Sequence, residues 1–253
     1  MQDPFFDARG ETSPGRNATF LAKAFSENCT ISAIGSAPYV EHDDWQAKWN
    51  IRHIIALAIE HNLHVDFHLD YNLSPTQEPL IFYVIDVLLE MRWTEKMPEK
   101  VITIGHATRL SLFSENEYRM LRQRIGELPI VFVGLPQSDV YMMGRNDPSR
   151  PRGTLCLPKV ANEFNLDIAM SVNNVGNAFT PQGYPDPLML CPLGVAISQT
   201  GAEEHCRTLL ASTLLPFYFA MLKQLPSRLL HSHRREPSEN ATSRIRSHLL
   251  KGM

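Results

Sequence analysis

The 253-residue chain predicts an α/β fold, a parallel sheet with crossover helices, on three observations. Short runs rich in β-branched residues recur at CTISAIGSA (29–37), HVDFHLD (64–70), VITIGHA (101–107), PIVFVGLP (129–136) and DIAMSVNN (167–174). Their starts lie 35, 37, 28 and 38 residues apart, the length of one strand, one loop and one helix. Each run then ends in polar residues, at the edge where parallel α/β folds bind ligands.

Taken in chain order, residues 1–28 predict an irregular segment. MQDPFFDARGETSPGRN carries an acidic residue at position three and no apolar stretch, so neither a secretory leader nor a membrane anchor is expected there. After the first strand, Ile51, Ile54, Ile55, Ala58 and Ile59 mark one face of a helix that should lie on the sheet. Tyr39, Trp45 and Trp49 either line a pocket or pack the core, and His61 and His64 flank the turn into the second strand. Ser74-Pro75-Thr76-Gln77 reads as a helix start, with an N-cap, a first-turn proline and a Gln at the capping-box position; Ser114 with Glu117 repeats it. Thr208 to Leu222 is the most apolar run, but Pro216 interrupts it and it falls short of the roughly 20 residues of a membrane span. It predicts a buried or interface helix. One domain is therefore expected over 29–222, followed by a basic, disordered tail over 223–253. From Pro226 onward that tail has six basic residues against two acidic ones, and its His231 and His233 follow no strand.

A hydrophobic content of 43% is ample for a core, while a net charge of -3 gives no electrostatic footprint for nucleic acid or an anionic membrane. Cys29, Cys156, Cys191 and Cys206 form no CxxC pair, which favours a reducing, cytoplasmic setting over a disulfide framework.

The polar strand ends supply the candidate chemistry. His68 and Asp70 close the second run, His106 the third, Gln137 to Asp139 follow the fourth, and Asn173 and Asn174 end the fifth. Imidazole and carboxylate on adjacent strands suit zinc or iron, and a bound divalent ion generates hydroxide near neutral pH. Taken singly, each histidine is equally a hydrogen-bonded structural residue.

The runs VDFHLDY, ITIGHATRL, GLPQSDVYMMGRNDPSRPRGT and SVNNVGNAFTPQGYPDPLMLCPLGVA together resemble the cytosine deaminase branch of the amidohydrolase superfamily, over residues 29–199. The resemblance implies a TIM-type (β/α)8 barrel of the metal-dependent hydrolase kind, here incomplete, with the five runs standing for strands four to eight. It implies hydrolysis of a non-peptide C–N bond in a small heterocycle by water activated on zinc or iron. His68 would be a metal ligand, and His106 a ligand or the group that positions the water. Asn173 stands where the family has an aspartate that is both ligand and base, and an amide cannot take a proton at neutral pH. Tyr71 stands where the family has the glutamate that shuttles a proton, with Asp70 beside it as an orienting group. Gln137, Asp139, Phe179 and Pro181 would shape the substrate pocket. The family's first-strand HxH pair has no counterpart here, and a five-stranded part of a barrel would leave an apolar inward face uncovered. Three readings stay open: a hydrolase; an inactive homologue or gene fragment that binds a ligand or partner without turnover; and a metal-independent isomerase or lyase using Tyr71 and Asp70. Self-association would be compatible with each.

Overall fold

The computed structural model describes residues 3–26, 30–145 and 153–222. Cys29, where the first strand was expected to start, and the basic tail with His231 and His233 lie outside them. The chain divides into two compact units, residues 1–213 and 214–253, and the sheet with its crossover helices belongs to the first.

Five parallel strands form one sheet in sequence order: β1 (Ala33–Ser36), β2 (His64–Leu69), β3 (Ile102–His106), β4 (Ile130–Gly134) and β5 (Ile168–Met170). All five expected runs contain a strand, each shorter than its sequence signal. The crossovers are α2 (Asp44–His61) after β1, α3 (Ile81–Glu90) and α4 (Trp93–Lys96) after β2, α5 (Glu115–Ile125) after β3, and α6 (Pro136–Met142) with α7 (Leu157–Asn162) after β4. Helices α8 (Leu190–Ser198) and α9 (Glu203–Leu222) follow β5. This is the architecture of a partial TIM-type barrel. No helix of the described residues is long and apolar enough to cross a membrane.

Strand alternation sorts the core. Val65, Phe67, Leu69, Ile102, Ile104, Ile130, Phe132 and Ile168 are buried on the helix-covered face, in one cluster with Ile51, Ile54, Ile55 and Ala58 of α2. Each such side chain contributes about 1.5–3 kcal/mol through burial. The strand register puts Gly35, Asp66, Thr103 and Val133 on the opposite face, together with His68, Gly105 and Ala169. That face is mixed in character: Val131, Val133 and Ala169 are apolar, whereas Gly35 and Asp66 are exposed and Asp66 accepts a hydrogen bond from Thr103.

Two local expectations change. The N-terminal segment is not irregular throughout, since α1 spans Arg16–Ser26. Phe5 and Phe6 are buried against Trp49, and the Glu41 carboxylate accepts their backbone N–H groups. The Ser74 capping turn also forms, with Ser74 Oγ accepting from Gln77 N–H at 3.2 Å, yet no helix grows from it. Pro79 interrupts, because it lacks an N–H and disfavours helical geometry in the residue before it, and α3 starts at Ile81. Ser114 behaves as expected and makes a full capping box with Glu117.

Candidate active site

The C-terminal edge of the sheet collects an aromatic and imidazole cluster. His68 on β2 and His106 at the end of β3 pack edge to face, with ring centroids 4.9 Å apart. The partner of His68 across the strand pair is Gly105, where even a Cβ would make only ordinary van der Waals contact with the imidazole at 3.6 Å, so the ring packs closely on the strand without requiring a glycine. Tyr71 covers His106 at 4.0 Å between centroids, and Tyr39 packs against Tyr71 at 5.3 Å. Three strand ends in this region leave in left-handed backbone, Asp70 (φ 51°), His106 (φ 66°) and Asn173 (φ 55°), a conformation unfavourable by about 1 kcal/mol or more for a non-glycine residue. Strain at these positions is retained because the surrounding packing fixes it.

His106 is the best-held group. Its Nδ1 lies 2.6 Å from Asp139 Oδ1, and the two side chains are 2% and 0% exposed. Asp139 Oδ2 accepts from the Thr154 hydroxyl at 3.0 Å. Burial pushes the Asp139 carboxyl up, against the opposing pull of His106 and Thr154. An ionised Asp139 accepts the Nδ1 proton of His106 and so presents Nε2 as the basic nitrogen. His68 is held below the usual histidine range, first by burial and second by His106, and its buried Nδ1 has no hydrogen-bond partner among the described residues.

Several of the expected site residues have contacts outside the histidine cluster. Asp70 is a buried helix cap: Oδ1 accepts from Leu80 N–H at 2.7 Å and Oδ2 from Ile81 N–H at 3.1 Å, at the start of α3. Both oxygens are occupied away from the cluster. The Tyr71 phenol is pushed up by burial, then by the charge of Asp139, so its proton is harder to remove than that of a free tyrosine. Asn173 does not touch the histidines through any observed hydrogen bond; its Nδ2 donates to Ser138 Oγ at 3.1 Å, next to Asp139. Gln137 clasps the loop after β5: Nε2 donates to Asn174 O, Oε1 accepts from Tyr184 N–H, and its backbone oxygen accepts from Gln182. Phe179 lies on that loop with 57% of its surface exposed, and Pro181 is exposed beside it. Thr154 carries no signal in the sequence that marks it as part of the site, whereas Ser138 falls within the polar stretch Gln137 to Asp139.

The metal implied by the family resemblance would have to draw its ligands from these donors. His68 and His106 are two imidazoles, Asp139 is engaged by His106 and Thr154, and no three His, Cys, Asp or Glu gather as a metal group among the described residues. A catalytic zinc takes three protein ligands as a rule. The described residues do not by themselves fit that centre.

Neither a family profile nor a curated protein matches the chain by sequence. Among solved structures, the chain is similar in fold to two hydrolytic enzymes. A 5-methylcytosine deaminase from Klebsiella pneumoniae liganded with 5-fluorocytosine superposes with a TM-score of 0.67 at 14% identity, over 77% of this chain and 45% of that one. The N-isopropylammelide isopropylaminohydrolase of Burkholderia multivorans gives 0.58 at 19% identity, over 84% and 49%. The chain thus spans about half the length of these relatives in fold, and at such identities the likeness concerns the fold alone.

Proposed function

We propose that the sheet edge around His106 binds a small planar heterocycle and takes part in hydrolysis of a non-peptide C–N bond in it. The carrying observation is the buried His106–Asp139 pair, which fixes one imidazole nitrogen and leaves the other for proton transfer. In this reading His106 Nε2 takes a proton from the attacking water and returns it to the departing nitrogen. Asp139 stabilises the imidazolium formed between those events, and Thr154 holds Asp139. Tyr71 and Tyr39 supply aromatic surface against which a flat ring can stack. A metal-activated water, as the family resemblance implies, would need donors beyond His68 and His106. The proposed setting is cytoplasmic; Cys156, Cys191 and Cys206 are free thiols.

A second reading, ligand binding without turnover, is favoured by two positions. Asn173 cannot act as a base, and Tyr71 is too weak an acid to replace a carboxylic proton shuttle. One experiment separates the readings: ammonia release and calorimetric binding measured over a panel of cyclic amidines and aminopyrimidines, with and without added zinc, for wild type and His106→Ala. Release lost in the variant supports hydrolysis. Binding without release supports the second reading, and neither binding nor release would overturn both.

A further inference from the structure

We propose that a cavity behind Asp139 is a second binding site, for a small carboxylate with an apolar body, and that its occupant is coupled to His106 through Thr154. The cavity measures about 230 Å³ and lies between the segment Ser111–Phe113 with α5, the start of α7, and α8. At ~30 Å³ per water it has the capacity of about eight water molecules, which suits a small aromatic acid and is too little for a nucleotide. None of His68, His106, Tyr71 or Tyr39 lines it, so it is distinct from the cluster at the sheet edge.

Its lining defines the ligand chemistry. Leu112, Phe113 and Ile197 give an apolar wall, and Lys159 supplies a cation. Lys159 makes no ion pair among the described residues; its ammonium rests 5.9 Å from the centre of the Phe164 ring. A single ammonium beside apolar walls selects a monoanion with an apolar body, since the walls cannot solvate a second charge.

Thr154 links the cavity to the dyad. It is 4% exposed, it lines the cavity, and its hydroxyl donates to Asp139 Oδ2 at 3.0 Å. Asp139 in turn holds His106 Nδ1 at 2.6 Å. A carboxylate that draws the Thr154 hydroxyl toward itself leaves Asp139 Oδ2 without that donor. The proton shared between Asp139 and His106 then moves toward the carboxylate, and the His106 nitrogens respond. This inference needs no turnover at His106, so it stands or falls separately from the proposed hydrolysis.

Benzoate is the probe, and Cys156, which lines the cavity, is the reporter. The rate of Cys156 alkylation by iodoacetamide is followed by peptide mass spectrometry across a benzoate titration, with Cys191, which does not line the cavity, as the internal control. The expected result is saturable slowing at Cys156 alone, with a midpoint about tenfold weaker in Lys159→Met. The His106 imidazole ¹⁵N resonances should shift with the same midpoint, and Thr154→Val should abolish that shift. Wild type alone decides the binding: alkylation indifferent to benzoate overturns the site. Slowing that is unchanged in Lys159→Met overturns the carboxylate chemistry, and slowing with His106 unmoved overturns the coupling.

Discussion

Tyr71 lies across the face of His106, ring centroids 4.0 Å apart and planes 32° from parallel, on an imidazole whose Nδ1 is already tied to Asp139. The tyrosine therefore acts first as a wall. Tyr71→Phe should keep stability within about 1 kcal/mol, whereas Tyr71→Ala should cost about 2 kcal/mol, less than a fully buried aromatic because the ring is only half-buried. Urea denaturation of the two variants measures this. Equal losses would mean that the hydroxyl, and not the ring, carries the effect.

Replacing Asp139 by Asn removes the charge that holds His106 while keeping the shape. Because one member of a buried pair is altered, the expected destabilisation is about 3 kcal/mol. The amide can also present its NH₂ group to Nδ1, which would move the His106 proton to Nε2. Long-range ¹H–¹⁵N spectra report the tautomer directly, and an unchanged pattern would remove Asp139 from its positioning role.

Asp70 gives the molecule a pH dependence of definite sign. Burial raises its folded-state pKa from 3.8 to about 6, against the opposing pull of the Leu80 and Ile81 N–H groups. The folded state then binds the proton more tightly than the unfolded chain does. The resulting stabilisation is fully present below pH 3.8 and is lost as the pH rises through about 6. The span is at most ~3 kcal/mol. Unfolding free energies of wild type and Asp70→Asn, compared at steps from pH 4 to 7, should diverge in that window; parallel curves would exclude the shift.

Gly183 should resist substitution for two separable reasons. A Cβ there would come within 2.0–2.2 Å of the Gln137 amide, and the backbone sits at φ 102°. Gly183→Ala should cost more than about 1 kcal/mol and speed amide exchange in the loop after β5. Adding Gln137→Ala removes the collision but not the backbone strain. Only partial recovery is expected in the double variant, and full recovery would assign the whole cost to the side chain.

Much of the fold was legible because it rests on local patterns. Runs such as HVDFHL and VITIGH alternate in a way that only a strand satisfies, and Ser114 with Glu117 carries its capping instruction within four residues. The site was legible in part. His68 and His106 could be paired from their matching strand positions, but the partner of His106 lies 33 residues on, and that of Asp139 a further 15. Nothing local marks such contacts. The capping contacts of Asp70 were hidden for a related reason: the helix it caps begins eleven residues later, beyond a proline. Gln137 likewise reads as a pocket residue until the loop that it clasps is seen.

With Trp45, which also packs on Phe6, replaced by Phe, the docking of Phe5 and Phe6 on α2 gives the protein two optical reporters with different subjects. Trp93 is wholly enclosed in the core and its emission should follow global unfolding. Trp49 touches both phenylalanines and stacks on His53, centroids 4.5 Å apart. A protonated imidazole quenches indole emission, and burial holds His53 below the usual histidine range, so Trp49 should stay bright until the solution is distinctly acidic. Detachment of the first residues would return His53 to solvent and bring that quenching to milder pH, so the emission of a single tryptophan reads out whether the chain's beginning is seated.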